Sequence, residues 1–152
     1  MGKITKIRMS KYDTAWSRIA RLSNPWCEVC EKRGEGEERI SGLNAHHFIR
    51  RSIKPTRLVL ENAIILCTSH HVFNHEFSAH KTPESFKKWF KKKHPARAKR
   101  LEKKSQQYMN EKQAVIEFLD LIVGSKLYND FYKILENKRV QKGMVQQLAK
   151  KD

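Results

Sequence analysis

The sequence predicts an α+β fold, in which a small unit of two strands and short helices is followed by a helical extension. Two short apolar runs, "LNAHHFI" and "AIILC", are typical of strands. Stretches with helical spacing lie on both sides of them, and cysteine and histidine recur in pairs separated by two residues. The chain has 152 residues, of which 39% are hydrophobic, so it suits one domain with an appendage and a lean core.

The first predicted element is a helix over residues 10–22, "SKYDTAWSRIARL". Trp16 and Ile19 fall on one face of it, and Ser10 with Asp13 resembles a weak capping box. The tripeptide "NPW" ends this helix, because a proline after a short polar residue stops helical hydrogen bonding. "CEVC" then predicts a tight turn.

A polar, glycine-punctuated loop leads from that turn to the strand "LNAHHFI". A basic loop bent at Pro55 connects it to the second strand, "AIILC", which is apolar throughout. Residues 68–80, "TSHHVFNHEFSAH", are predicted to form a helix with Thr68 or Ser69 near its N-cap.

The composition changes after residue 81, where helical segments rich in lysine begin. Thr82 and Pro83 have the pattern of a cap and first helical residue, and Pro95 interrupts that helix. One long helix should follow and end near Gly124, with a further helical stretch, "SKLYNDFYKILENK", behind it. We therefore divide the chain into a core of residues 1–94 and an extension of residues 95–152. The extension could form a hairpin, dock on the core or join two copies in a homodimer.

The chain is strongly basic, with 32 Lys and Arg against 16 Asp and Glu and a net charge of +16. Such a charge favours a polyanionic partner, first of all nucleic acid, with an anionic membrane surface as the competitor. No apolar run approaches the roughly 18 residues of a spanning helix, and "MGKITKIRMS" lacks the apolar core of a signal peptide. These features predict a cytoplasmic protein that is not embedded in a membrane.

All three cysteines belong to two short ligand pairs, Cys27-x2-Cys30 and Cys67-x2-His70. Thiolates and imidazole at this spacing are typical of a tetrahedral zinc site, and a site closed by four protein ligands is structural rather than catalytic. Because His71 is adjacent, it could replace His70 as the fourth ligand. The pattern predicts a zinc ion that joins the end of the first helix to the second strand.

Five of the seven histidines lie between residues 46 and 75. With the zinc site closed, the histidines left over in this stretch are His46, His47, His71 and His75. Solvated surface histidines are the ordinary explanation, and it is a reasonable one for His75 and His80. For the group it is a poor explanation, because the histidines surround the two strands and the helix that zinc would hold together.

The order Cys-x2-Cys, "AHHFIRR", "TRLVLENAIILC" and "HH" resembles the HNH (His-Me finger) endonucleases, most closely the small phage-type members associated with recombination and DNA processing. The resemblance covers about residues 10–94. It implies a zinc-stabilised ββα-metal motif at about residues 43–78. The family usually has cysteine at the position of His70, which leaves open which of His70 and His71 serves which metal.

The resemblance also implies a role for individual residues. His47 is similar to the general base, and Asn62 occupies the place of the asparagine that braces the loop and so orients the base. His46 and His71 are similar to the ligands of a catalytic divalent ion such as Mg²⁺ or Mn²⁺, with His75 as a third ligand.

The activity implied is hydrolysis of DNA phosphodiester bonds to give 5′-phosphate and 3′-hydroxyl ends. A neutral imidazole can accept a proton from water near neutral pH, and a divalent ion can neutralise charge on the phosphate. Arg50, Arg51 and Arg57 would supply fixed positive charge for the DNA backbone.

Two other functions fit parts of the sequence. A zinc-stabilised nucleic-acid-binding protein without catalysis would need only the zinc ligands and a basic face. Such a protein would have no reason to keep the family's order of residues, which is His46, His47, Asn62 and His71. An enzyme acting on RNA would share the chemistry and differ only in its substrate.

Overall fold

A computed structural model describes residues 8–123 of the chain. In chain order its elements are α1 (Met9–Ser23), β1 (Leu43–His47), the single turn α2 (Lys54–Arg57), β2 (Ala63–Cys67), α3 (Pro83–Lys93), α4 (Pro95–Ser105) and α5 (Glu111–Ile122). A 3₁₀ turn at Leu60–Asn62 precedes β2, and a π-helical turn at Ser69–Phe73 follows it. The predicted α+β class and both predicted strands are confirmed.

The two strands form an antiparallel sheet whose two ends carry different chemistry. Leu43 pairs with Cys67 at one end, and His47 pairs with Ala63 at the other. Every residue of β2 is buried, as its uninterrupted apolar sequence predicts, whereas most of β1 is only half-buried. The sheet therefore holds a buried cysteine at one end and a partly accessible histidine pair at the other.

One apolar cluster spans the described residues. Trp16 of α1, Ile64 of β2 and Phe90 of α3 are almost fully buried in it. Leu101 of α4 and Phe118 of α5 belong to the same cluster, with exposures of 1% and 2%. The described part of the predicted extension thus packs on α2 and α3 and shares the core of the strands.

The predicted capping box at the start of α1 is wrong. The helix begins at Met9 with Arg8 as N-cap and without a side-chain cap. Ser10 therefore lies inside the first turn, where its carbonyl accepts a hydrogen bond from Thr14. The Asp13 carboxylate is engaged elsewhere, as described below.

The helix predicted over residues 68–80 is also wrong beyond its first turn. Only Ser69–Phe73 is helical, and it is a π-helical turn with Thr68 as N-cap. Asn74 ends it, because its side-chain oxygen accepts hydrogen bonds from the amides of Glu76 and Phe77. The chain then folds back, and the His80 amide donates to the carbonyl of His71 at 3.1 Å.

The helices after residue 81 follow the prediction only in part. α3 starts at Pro83 with Thr82 as N-cap, as expected. The predicted long helix is instead two helices, because Asn110 and Gln113 form a reciprocal capping box that starts α5. Gly124 and the helical stretch predicted behind it lie outside the described residues. No helix within residues 8–123 is long and apolar enough to cross a membrane.

Candidate functional site

The first part of the site is a cluster of Cys27, Cys30, Cys67 and His70, whose ligand atoms all lie within 4.8 Å of one another. The His70 Nδ1 atom is 3.2 Å from the Cys67 sulfur and 3.7 Å from the Cys27 sulfur. These are the four predicted ligands, and His70 rather than His71 completes the set. A Cys₃His cluster of this kind could hold a structural metal such as zinc.

Backbone hydrogen bonds position this cluster on three elements. The turn after α1 is closed by the Cys27 amide, which donates to the Lys32 carbonyl at 2.8 Å. Glu28 ties the same turn to β2, since its amide donates to the Ile65 carbonyl and its carboxylate accepts from the Ile65 amide. Cys67 ends β2, and the π-helical turn brings His70 beside it.

The surroundings of the cluster shift the pKa values of Cys67 and Cys27 in opposite directions. Burial and, after it, the neighbouring thiols of Cys27 and Cys30 together raise the pKa of Cys67 to about 11. Burial also opposes ionisation of Cys27, but hydrogen bonds from backbone amides, first that of Cys67, leave its pKa lowered overall. A divalent cation would offset the cost of ionising Cys67, since coordinated thiols are deprotonated.

The second part of the site is a cluster of His46, His71 and His80, with one ring nitrogen from each within 4.8 Å of the others. The Nε2 atoms of His71 and His80 are 3.2 Å apart. Two of these residues are predicted ligands, but the third is His80. The predicted third ligand, His75, is exposed and lies outside the cluster.

Local spacing misses His80 because the helix that would align His71 with His75 ends at Phe73. The reversal after Asn74 brings His80 back over His71 instead. Such a reversal is signalled in the sequence only by the turn-forming Asn74, which the helical interpretation of residues 68–80 overlooks.

Burial disfavours protonation of two imidazoles of this cluster, His46 and His71. Burial and, after it, charge repulsion from the nearby His71, His80 and His47 together lower the pKa of His46 to about 3. Burial and the neighbouring His80 also lower the pKa of His71. Neutral imidazoles have free lone pairs at physiological pH, which is the state that binds a metal ion.

The third part of the site is His47, which is held from two sides. Its ring stacks on the indole of Trp16, with centroids 3.9 Å apart and planes 16° apart. Its Nε2 atom lies 2.9 Å from the Arg57 carbonyl oxygen. A carbonyl only accepts hydrogen bonds, so Nε2 carries the proton and Nδ1 keeps the lone pair. Burial lowers the pKa of His47, while the Arg57 carbonyl and Asp13 partly oppose this.

Arg57, for which a phosphate contact is predicted, forms an ion pair within the fold. Its Nε and Nη2 atoms donate to the two carboxylate oxygens of Asp13 at 2.9 and 2.6 Å. The two side chains are only 16% and 13% exposed, so the guanidinium is engaged in tying α2 to α1. Arg50 and Arg51 are exposed, and no carboxylate within residues 8–123 forms a salt bridge with either.

Asn62 is fully buried and braces the loop that follows β1. Its amide nitrogen donates to the carbonyls of Ile49 and Thr56, each at 2.9 Å, and its oxygen accepts from the Ile49 amide at 2.7 Å. Phe48, the residue after His47, donates its amide to the Asn62 carbonyl at 3.0 Å. Asn62 therefore acts on the backbone next to His47 and not on the imidazole itself.

Neither a family model nor a curated protein or solved structure matches this chain. What the site can do must therefore be argued from its own residues. They comprise a closed cysteine cluster, an open histidine cluster and a separately held imidazole.

Proposed function

We propose that this protein is a metal-dependent endonuclease that hydrolyses DNA phosphodiester bonds by HNH-type chemistry. The observation that carries the proposal is the placement of His47 next to His46. His47 has one nitrogen engaged by a backbone carbonyl, and His46 belongs to a three-imidazole cluster. Both histidines line the same cleft, so a base and a cation site would face one substrate.

His47 has the features required of the general base. Its Nε2–H is fixed by the Arg57 carbonyl, and the stack on Trp16 restrains rotation of the ring. The Nδ1 lone pair is then free to accept a proton from a water molecule that attacks the phosphorus atom. Because the pKa of His47 is lowered, the imidazole is neutral and competent at physiological pH.

His46, His71 and His80 would hold the catalytic divalent ion. Three protein ligands leave coordination positions open for oxygens of the substrate, in contrast to a closed structural site. When bound, such an ion supplies charge neutralisation at the phosphoryl and leaving oxygens. The cluster of three imidazoles is the support for this assignment.

The local chain path is consistent with the ββα-metal arrangement that the sequence resembles. The strands β1 and β2 and the turn that follows them carry His46, His47 and His71 in that order. The chain departs from the family motif at its third element, which is the five-residue turn Ser69–Phe73 rather than a full helix. The net charge of +16 supports a nucleic acid as the substrate.

The test is a plasmid-cleavage assay with Mg²⁺ or Mn²⁺, with and without a chelator. The native protein should cut only with the metal and leave 5′-phosphate and 3′-hydroxyl ends. His47→Ala should lower the rate by about 10² to 10⁴, typical for the loss of a general base. His75→Ala serves as the matched control, because it removes a nearby histidine that lies outside the cluster, and it should cut at the native rate.

Cleavage by His47→Ala at the native rate would contradict the mechanism. Binding of DNA without any cleavage by the native protein would instead favour a zinc-stabilised nucleic-acid-binding protein, for which the Cys₃His cluster and the basic charge suffice. Cleavage confined to RNA would change the substrate and keep the chemistry.

A further inference from the structure

A cleft of about 450 Å³ opens beside the histidine pair, between the end of β1 and the start of α3. His46 and His47 both line it. Its lining includes apolar and charged side chains from the loop after β1, from α3 and from α4. A DNA strand bound in this cleft would therefore lie next to the proposed general base, His47.

The cleft carries more positive than negative charge. Lys87 and Lys91 of α3 line it, Arg50 lines it from the loop after β1, and Glu102 of α4 is its one acidic residue. Lys87 and Lys91 are four positions apart and so lie on one face of the helix, about 6 Å apart along its axis. Their side chains are 54% and 53% exposed, and each forms an exposed ion pair, with Glu84 at 3.9 Å and with Glu102 at 2.6 Å. Exposed ion pairs of this kind are weak, so a phosphate can compete for both ammonium groups.

The helix that carries these lysines is held rigidly against His46, which lines the cleft. Phe86, the residue before Lys87, is 2% exposed and packs edge-on against the His46 ring at a centroid distance of 5.5 Å. Phe90, the residue before Lys91, is fully buried and packs against Phe48 at 4.3 Å. The lysines are therefore positioned relative to His46 by the core rather than by a mobile surface segment.

We infer that this cleft binds the DNA strand next to the bond that is cut, with Lys87 and Lys91 contacting its backbone phosphates. The inference rests on the proposed function and adds to it the path of the substrate. Phosphate contacts of this kind set the register of a nucleic acid on a protein without reading its sequence. The lysines would thus align the scissile phosphate with His47.

Removing the charge of Glu102 should strengthen DNA binding, whereas removing the lysines should weaken it. The Glu102 carboxylate lies 2.6 Å from the Lys91 ammonium, so it occupies the cation that a phosphate would bind. Replacing Glu102 by glutamine removes the competing charge and frees Lys91. We expect Glu102→Gln to bind DNA a few-fold more tightly than the unchanged chain.

The chain provides a matched control on the same helix. Lys88 and Lys92 are also exposed and four positions apart, but each lies about 100° further round α3 and neither lines the cleft. Removing either pair changes the net charge by the same amount. A difference between the pairs must therefore arise from position and not from bulk electrostatics.

The experiment measures binding of a fluorescent DNA duplex across a salt series, in the His47→Ala background so that the probe stays intact. Lys87→Ala with Lys91→Ala should weaken binding about tenfold and reduce the slope of log affinity against log salt by about 1 to 2. Lys88→Ala with Lys92→Ala should change the affinity and the salt slope much less. Circular dichroism of each variant checks that α3 is intact.

Equal losses for the two pairs, or weaker binding by Glu102→Gln, would overturn the cleft as the DNA path. Failure of the cleft as the DNA path can be distinguished from failure of the proposed nuclease activity. If the native chain cuts DNA and the pairs behave alike, only this inference fails. If the pairs differ as expected and the native chain never cuts, the cleft stands as a binding site and the proposed catalysis fails. Absence of DNA binding would overturn both.

Discussion

The two ligand clusters of this protein differ in their number of ligands, in ligand type and in burial. One includes Cys67 at one end of the two-stranded sheet, and the other includes His46 near the opposite end. The cluster with Cys27 and Cys67 has four ligands, three of them thiols, and both of these cysteines are buried. The cluster with His46, His71 and His80 has three imidazoles, and its members are half-buried or exposed. Three thiolates and one imidazole would complete the tetrahedral shell of a structural zinc ion, whereas three imidazoles would leave coordination positions of a metal ion open.

The difference teaches how a small core can be stabilised at one end of the sheet while the other end stays partly accessible. The cysteine end joins α1, β2 and the turn after β2, so a metal there would stabilise the hairpin that presents His46 and His47. We expect the histidine end to contribute less to the fold, because its three members are half-buried or exposed. Stability and chemistry should therefore respond separately to substitutions at the two ends.

The largest effect is expected at the cysteine end. Cys30→Ser should abolish metal binding there and lower the free energy of unfolding on the order of 5 kcal/mol, because the free energy of metal binding contributes directly to folding. Elemental analysis and denaturant unfolding measure the two effects. His71→Ala is the contrast from the other cluster, and it should leave both the bound zinc and the unfolding midpoint close to native. Equal destabilisation by both variants would mean that the two ends do not differ in this way.

A smaller effect is expected at the histidine end. His80→Ala should weaken binding of Mn²⁺ to the zinc-loaded protein by about 100-fold. It removes one of three direct ligands, and this should cost at least as much affinity as the loss of a residue that only contacts a ligand. His75→Ala should leave the affinity unchanged, because its side chain is outside the cluster. Isothermal titration calorimetry separates the two. The reverse ranking would restore His75 as the ligand and refute the placement of His80.

The smallest effect concerns the pH dependence of stability without added metal. Burial lowers the pKa of His46 to about 3, whereas a free imidazole titrates near 6.5. Between these values the unfolded chain binds more protons than the fold, so stability rises with pH through this window and is lost on acidification. Going from pH 7 to pH 5 should cost on the order of 2 kcal/mol through His46. His46→Gln should show a correspondingly flatter profile in urea unfolding, and identical profiles would argue against burial of a neutral His46.

Local features of the sequence determined much of the fold and about half of the site. The apolar runs that become β1 and β2, the proline that starts α3 and the two ligand pairs with Cys27 and Cys67 are all recognisable within a few residues. Strand and cap preferences depend on neighbouring residues, and ligand pairs two residues apart are brought together by a single turn. For these features, sequence spacing is close to spatial arrangement.

Tertiary structure alone decided the remaining site contacts. The pairing of Arg57 with Asp13 joins residues 44 positions apart, and the stack of Trp16 on His47 joins two elements that no periodicity connects. The exchange of His75 for His80 depends on a chain reversal after Asn74, which turns a predicted helix into one π-helical turn. Such contacts follow from how separate elements pack around a shared core. Their energies arise between residues distant in sequence, so no local pattern specifies them.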